Sequence, residues 1–163
     1  MKTMLVIKPG TLATDTASGI DGMITHLHVE QDGRAQYCLQ PKGLNPEDGQ
    51  PLRRIWTIGE RLNGATPNHT ASLPLEVLGT EVTDEASGFS GTATALQLHI
   101  SGCLHVVVQP KGRHPKNNGM IECCDFDIRR LSGKAIKKLT EAEREADQAQ
   151  RPSPSGSIGM PHR

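Results

Sequence analysis

The chain has 163 residues, with 18 basic and 18 acidic side chains and a formal net charge of zero at pH 7. That balance argues against a nucleic-acid binder working by bulk electrostatics, and an aromatic content of 2% leaves almost no platform for stacking bases. No apolar run approaches the roughly 20 residues of a membrane span, and Met1-Lys2-Thr3-Met4 opens no signal peptide, so a soluble protein, intracellular or assembled inside a cell, is expected.

Residues Met4 to Ile7 form a short apolar run that Pro9-Gly10 ends, and residues 11–15 read as a strand followed by the turn Ala17-Ser18-Gly19. From Gly22 to Glu30 the pattern alternates, with Leu27 and Val29 on one face and His26, His28 and Glu30 on the other. Asp32-Gly33 signals a two-residue type I′ hairpin, and residues 34–40 return as its second strand. Pro41 stops that strand by removing a ladder donor. A loop rich in Gly and Pro, 42–51, leads to a fourth strand at 52–58, and Glu60-Arg61-Leu62 to a short fifth. Residues 63–72 are polar, lack periodicity and read as a linker.

The letters Gln40-Pro41-Lys42-Gly43 then recur as Gln109-Pro110-Lys111-Gly112, 69 positions later. At that offset 19 of the 55 positions from Gly10 to Gly64 match their partners without a gap. Chance would give roughly one in fifteen to twenty. The sequence therefore repeats itself internally. The matches are mostly turn formers, such as Ala17-Ser18-Gly19 with Ala86-Ser87-Gly88, while Trp56 faces Asp125 and Tyr37 faces Val106. The second set of strands falls at 80–84, 91–100, 103–109, 121–128 and 129–131, with Leu96 and Leu98 in the places of Leu27 and Val29.

Five short strands in fewer than about 60 residues predict an all-β fold of two tandem small five-stranded β-barrels, Tudor- or Src-homology-like. Closure would remove the exposed edges of so small a sheet. The expected boundaries are 1–64 for the first module, 65–73 for the linker and 74–133 for the second module. A C-terminal helix is expected over 134–150, with a narrow apolar stripe at Ala135, Ile136, Leu139, Ala142 and Ala146 and a capping box at Thr140 and Glu143. Residues 151–163, rich in Pro and Ser, read as a flexible tail. Thin cores predict that the modules pack on each other or on neighbouring subunits, as a homo-oligomer or part of a larger particle.

The duplicated cations Lys42, Arg61, Lys111 and Arg130 are the candidate partner- or anion-binding residues. Asp15 and Asp84 precede equivalent Ser-Gly turns and are expected to cap them. His26, His28 and Glu30 have a metal-ligand spacing, but Ala95, Gln97 and His99 replace them in the second copy, so a solvated hairpin face flanked by Tyr37 or Leu39 is expected instead. With Ser101-Gly102 as a two-residue turn, Cys103 would face Ile100 and His105 would face Leu98, both on the core side. Cys38, Cys103, Cys123 and Cys124 show no C-x-x-C spacing, so reduced thiols are expected rather than zinc or disulfides. No nucleophile–base or metal constellation is shared by both copies, which predicts no enzyme activity and no cofactor.

Ser87-Gly88-Phe89-Ser90-Gly91-Thr92-Ala93-Thr94-Ala95, then Ser101-Gly102-Cys103, then Val108-Gln109-Pro110-Lys111-Gly112, resembles a family of short proteins of tailed bacteriophages and prophages. Their pattern is a Gly-Phe-x-Gly-x-Ala-Thr-Ala start, a Gly-Cys hairpin and a Gln-Pro exit. The resemblance covers most of 79–131, and 10–64 more weakly, where Ile20 stands for Phe and Arg34 for the hairpin Cys. It implies a phage or prophage context, in the bacterial host cytoplasm or the virion. The leading expectation is a non-enzymatic structural or interaction protein, bound to itself or to other phage proteins. The alternatives are a sponge that sequesters a nucleotide signal of bacterial defence and a weak nucleic-acid-binding module.

Overall fold

The computed structural model describes residues 1–137, and the fold is all-β. The first half holds β1 (Lys2–Val6), β2 (Leu12–Asp15), β3 (Ile20–Glu30), β4 (Ala35–Pro41) and β5 (Ile55–Ile58), then a 3-10 turn (Gly59–Arg61) and β6 (Leu62–Asn63). The second holds β7 (His69–Leu73), a 3-10 turn (Leu75–Val77), β8 (Glu81–Asp84), β9 (Ser90–His99), β10 (Leu104–Gln109) and β11 (Cys124–Asp127), then a 3-10 turn (Ile128–Arg130) and β12 (Leu131–Ser132). From β2 onward every strand of the first half has a counterpart beginning 69 or 70 positions later.

All pairings are antiparallel. Each half runs in the order β6-β2-β3-β4-β5 or β12-β8-β9-β10-β11, and the two join through β3 and β9 into one ten-stranded sheet. β1 and β7 form a separate two-stranded ribbon. In the β3–β9 seam His28 lies opposite Gln97, its own counterpart at the 69-residue offset. In the ribbon Thr3 lies opposite Ser72, again its counterpart. An antiparallel register that places a residue across from its own counterpart has a local two-fold centre at that pair.

The repeated glycines and threonines explain how β3 and β9 serve two neighbours. The ladders between β3 and β4 and between β9 and β10 slip by one residue, at Thr25 and at Thr94. Such a bulge bends a strand and raises its twist. Before it β3 pairs with β2 (through Ile20–Met23), and beyond it with β9 (from His26). Gly22 and Gly91 sit where the neighbouring strand passes closest: a Cβ there would lie 2.5 Å from the Gln40 carbonyl oxygen and 2.3 Å from that of Gln109.

The hairpin turns differ from the expected type I′. Gly33 N–H donates to the Glu30 carbonyl, and Glu30 N–H to that of Arg34. Gly33 has φ +85°, whereas Asp32 is not in the left-handed region. The loop therefore has three residues with one left-handed glycine at its end, and His99 to Cys103 repeats it. The extra residue shifts the returning strand by one, so Leu104 faces Leu98 and His105 faces Gln97. A one-residue slip changes the face of every side chain, so His105 leaves the core side where sequence had placed it. Likewise Tyr37 faces Leu27 in the core, and Cys38 and Gln36 are the cross-strand partners of His26 and His28.

Residues 69–73, read as linker, form β7 instead. Ala71 and Leu73 are buried and pair with the apolar start of the chain, a pattern with too few apolar residues to stand out in sequence. Glu60 and Arg61 lie in the 3-10 turn, and the last strand begins at Leu62. One hydrophobic cluster includes Ile7, Leu27 and Val29 of the first half and Val77, Leu96 and Val106 of the second. Ala135 and Ile136 pack on it. Of the expected helix and tail, everything from Lys138 onward, including Leu139, Ala142 and Ala146, lies outside the described residues.

Replacing Gly22 or Gly91 by Ala should force β3 or β9 away from its neighbour. Each change should cost about 1–3 kcal/mol in urea denaturation, the usual scale of overpacking. An unchanged midpoint for both variants would contradict the close approach.

Candidate functional site

The repeated Gln-Pro-Lys-Gly is a strand exit held by its glutamine. Gln40 Nε2 donates to the carbonyls of Pro41 (3.2 Å) and Leu52 (2.7 Å), closing the base of the loop between β4 and β5. Gln109 does the same with Pro110 and Ile121. Gly43 and Gly112 have φ of +121° and +92°, so the chain turns there in the left-handed region.

Of the candidate cations, Arg61 and Arg130 are bound within the fold. The Asp15 side chain is fully buried, and its Oδ2 accepts from Arg61 Nη2 (2.7 Å), Ser18 Oγ (2.7 Å) and the Ser18 N–H (2.9 Å). Its Oδ1 accepts from Thr57 Oγ1 at 2.7 Å. Asp84 is equally buried and accepts from Ser87 and, through both oxygens, from Arg130 Nε (2.9 Å) and Nη2 (2.7 Å). The two cages differ for one reason. The second half has Phe126 where the first has Thr57, so Oδ1 of Asp84 is left for Arg130 Nε, and the guanidinium lies 5.5 Å from the Phe126 ring centre. In the first half the Thr57 hydroxyl takes that oxygen, and Arg61 Nε is buried with no partner among the described residues.

The Arg61 guanidinium, with the Ser18 and Thr57 hydroxyls, holds the Asp15 carboxyl well below the usual carboxylate range. The Ser87 hydroxyl and then Arg130 lower that of Asp84. Lys111 pairs with Glu81 at 2.5 Å on the surface, where Lys42 faces no equivalent carboxylate because Leu12 stands in the place of Glu81. The four cations are thus divided between two buried cages and two surface positions.

A further group of titratable side chains is one that sequence reading did not assemble. His26 of β3 lies opposite His99 of β9 across the seam, with ring centres 4.1 Å apart and edge to face. His105 of β10 follows at 4.5 Å from His99, and its Nδ1 lies 2.8 Å from Oδ2 of Asp125. At the other end Trp56 of β5 lies 6.3 Å from His26 and 5.7 Å from His28, and His28 Nδ1 lies 3.3 Å from Gln97 Nε2. Desolvation, reinforced by His99 and Arg54, pushes His26 down to about 4. His99 is lowered by desolvation and by His105, and His28 by desolvation. The signal was split in the sequence: the row exists only because β3 pairs with β9, and because the three-residue loop turns His105 outward.

Among the described residues no group of three or more His, Cys, Asp or Glu side chains is arranged to hold a metal ion. His28 and Glu30 border an open recess of about 380 Å³, with Thr94, Ala95 and Val107 opposite. The cysteines are free thiols; Cys38 is buried and Cys103 half-buried. No family model, curated protein or solved structure matches the chain.

Asp84→Asn should lower the urea midpoint at neutral pH, because it removes the charge that Arg130 faces. The wild-type contribution of each aspartate is complete above its ordinary pKa of 3.8 and is lost as pH falls toward the lower folded value. The wild type should therefore lose stability below about pH 4 more steeply than an Asp15→Asn, Asp84→Asn double variant. Equal acid slopes would contradict the cages.

Proposed function

We propose that the chain is a non-enzymatic structural and interaction protein of a phage or prophage, associated with the virion or its assembly. In this reading residues 1–64 and 74–133 are two tandem copies of one small Tudor- or Src-homology-like barrel, joined as an internal pseudo-dimer. The observation that supports the pseudo-dimer is the register: the two halves meet at His28 opposite Gln97 and at Thr3 opposite Ser72, each pair formed by a residue and its counterpart at the 69-residue offset. Symmetric dimers meet in the same self-complementary way.

Support for the barrel comes from the strand order, in which the 3-10 turn carries the chain from β5 to β6 at the far side of β2. The phage context rests on the resemblance of residues 79–131. An interaction role fits a chain whose polar groups largely serve its own fold while Trp56, Ile58, Leu44 and Met120 stay exposed. A sponge for anionic nucleotides is less favoured, because Arg61, Arg130 and Lys111 already face carboxylates.

Quantitative mass spectrometry of phage particles purified from the source culture should find the chain at a fixed copy number per particle. Recovery only among unassembled soluble protein would overturn the virion-associated reading.

A further inference from the structure

The imidazole row lies across the β3–β9 seam, which with the β1–β7 ribbon provides the strand pairing between the halves. His26 and His99 are directly opposite residues of that seam, and His105 extends the row onto β10. Hydrogen bonding favours one tautomer at each end of the row. Thr25 Oγ1 donates to the Cys38 carbonyl, so it accepts from Nδ1 of His26. The Asp125 carboxylate accepts from Nδ1 of His105. The His26 ring can then be neutral with a bare Nε2. Between them His99 Nε2 is buried with no hydrogen-bond partner, so a proton added there has no acceptor among the described residues.

We propose that the pair His26–His99, flanked by His105, is an acid-sensitive clasp, whose neutral rings pack across the β3–β9 seam and whose protonated rings repel and loosen it. This goes beyond the proposed function and holds whether or not the chain belongs to a virion. The charged and titratable groups around the row are unequal. Arg54, before β5, adds positive potential at His26 and His99. Asp125 on β11 opposes it, but its carboxylate is engaged by His105. Asp127 on the same strand is paired with Arg129, and on β3 His28 brings a further imidazole and Glu30 a carboxylate. A second proton on the His26–His99 pair therefore adds to a site whose nearest carboxylate, Asp125, is already engaged by His105.

The lowered histidines set the sign. The opened seam binds protons more readily than the closed one between the ordinary imidazole value of 6.5 and the value of about 4 for His26. The clasp is complete above that window, weakens as pH falls through it, and changes no further below. The aspartate cages lose their charge only below this window.

The test uses the full chain. Amide exchange at residues 26–30 and 95–99, corrected for the intrinsic pH dependence, is followed from pH 7.5 to 4.5, together with the fluorescence of Trp56. Exchange at the seam should rise on the order of tenfold, and fluorescence should change in the same window as the imidazoles beside the indole take up protons. His99→Gln and His26→Gln, which cannot be protonated, should each flatten the exchange response, whereas His114→Gln in the loop after β10 should leave it intact. Two different substitutions guard against one that merely unfolds the chain, and ring-proton NMR of the wild type gives a readout without mutation. Seam protection unchanged down to pH 4.5, equal acid responses in wild type and both row variants, or His26 and His99 titrating like free imidazole would each overturn the proposal.

Discussion

The buried carboxylates of Asp15 and Asp84 are the constraint on which each half depends. A short strand, a turn and the end of the same half must meet at one point, and a charge without solvent forces them together. Asp15 binds the turn through Ser18, β5 through Thr57 and the 3-10 turn through Arg61. The Thr16 N–H donates to the Arg61 carbonyl beside it at 2.8 Å. The same backbone bond joins Glu85 to Arg130 in the second half. Two short strands, β6 and β12, are thereby held against β2 and β8 with only two paired residues each.

With the ends so fixed, the middle of each half carries different residues. Phe126 replaces Thr57 and packs on Phe89 at 5.4 Å, while Arg130 turns both nitrogens to its carboxylate. The outer face is likewise unequal: Trp56 stands on one side of the seam and Asp125 at the equivalent place on the other. A symmetric backbone register thus carries an asymmetric surface. The imidazoles form a row at the seam because β3 supplies His26, β9 supplies His99 and β10 supplies His105, none of which is matched by histidine at the 69-residue offset in the other half.

Much of the backbone was legible in the sequence, since turns and strand exits are written in residues with particular conformational needs. Gly33 and Gly102, Pro41 and Pro110, and the Asp-x-x-Ser turns all mark what they form. The face of His105 was not legible, because it depends on whether the loop has two residues or three, and Asp-Gly or Ser-Gly serves either. Strand β7 was missed because two alternating apolar residues carry little signal without their partner β1. The roles of Arg61 and Arg130 as partners of buried aspartates were hidden by a sequence separation of 46 residues, although the joint repetition of Asp, Ser and Arg was the available clue. The histidine row belongs to the pairing between halves, which periodicity within one strand does not encode.

The measurement that bears most directly on this account is a set of cross-strand nuclear Overhauser effects from the full chain at neutral pH. Contacts between backbone protons of residues 26–30 and 95–99, centred on His28 and Gln97, and between 2–6 and 69–73, centred on Thr3 and Ser72, are the predicted result. Two halves that each give their internal strand contacts but none between β3 and β9 would contradict it.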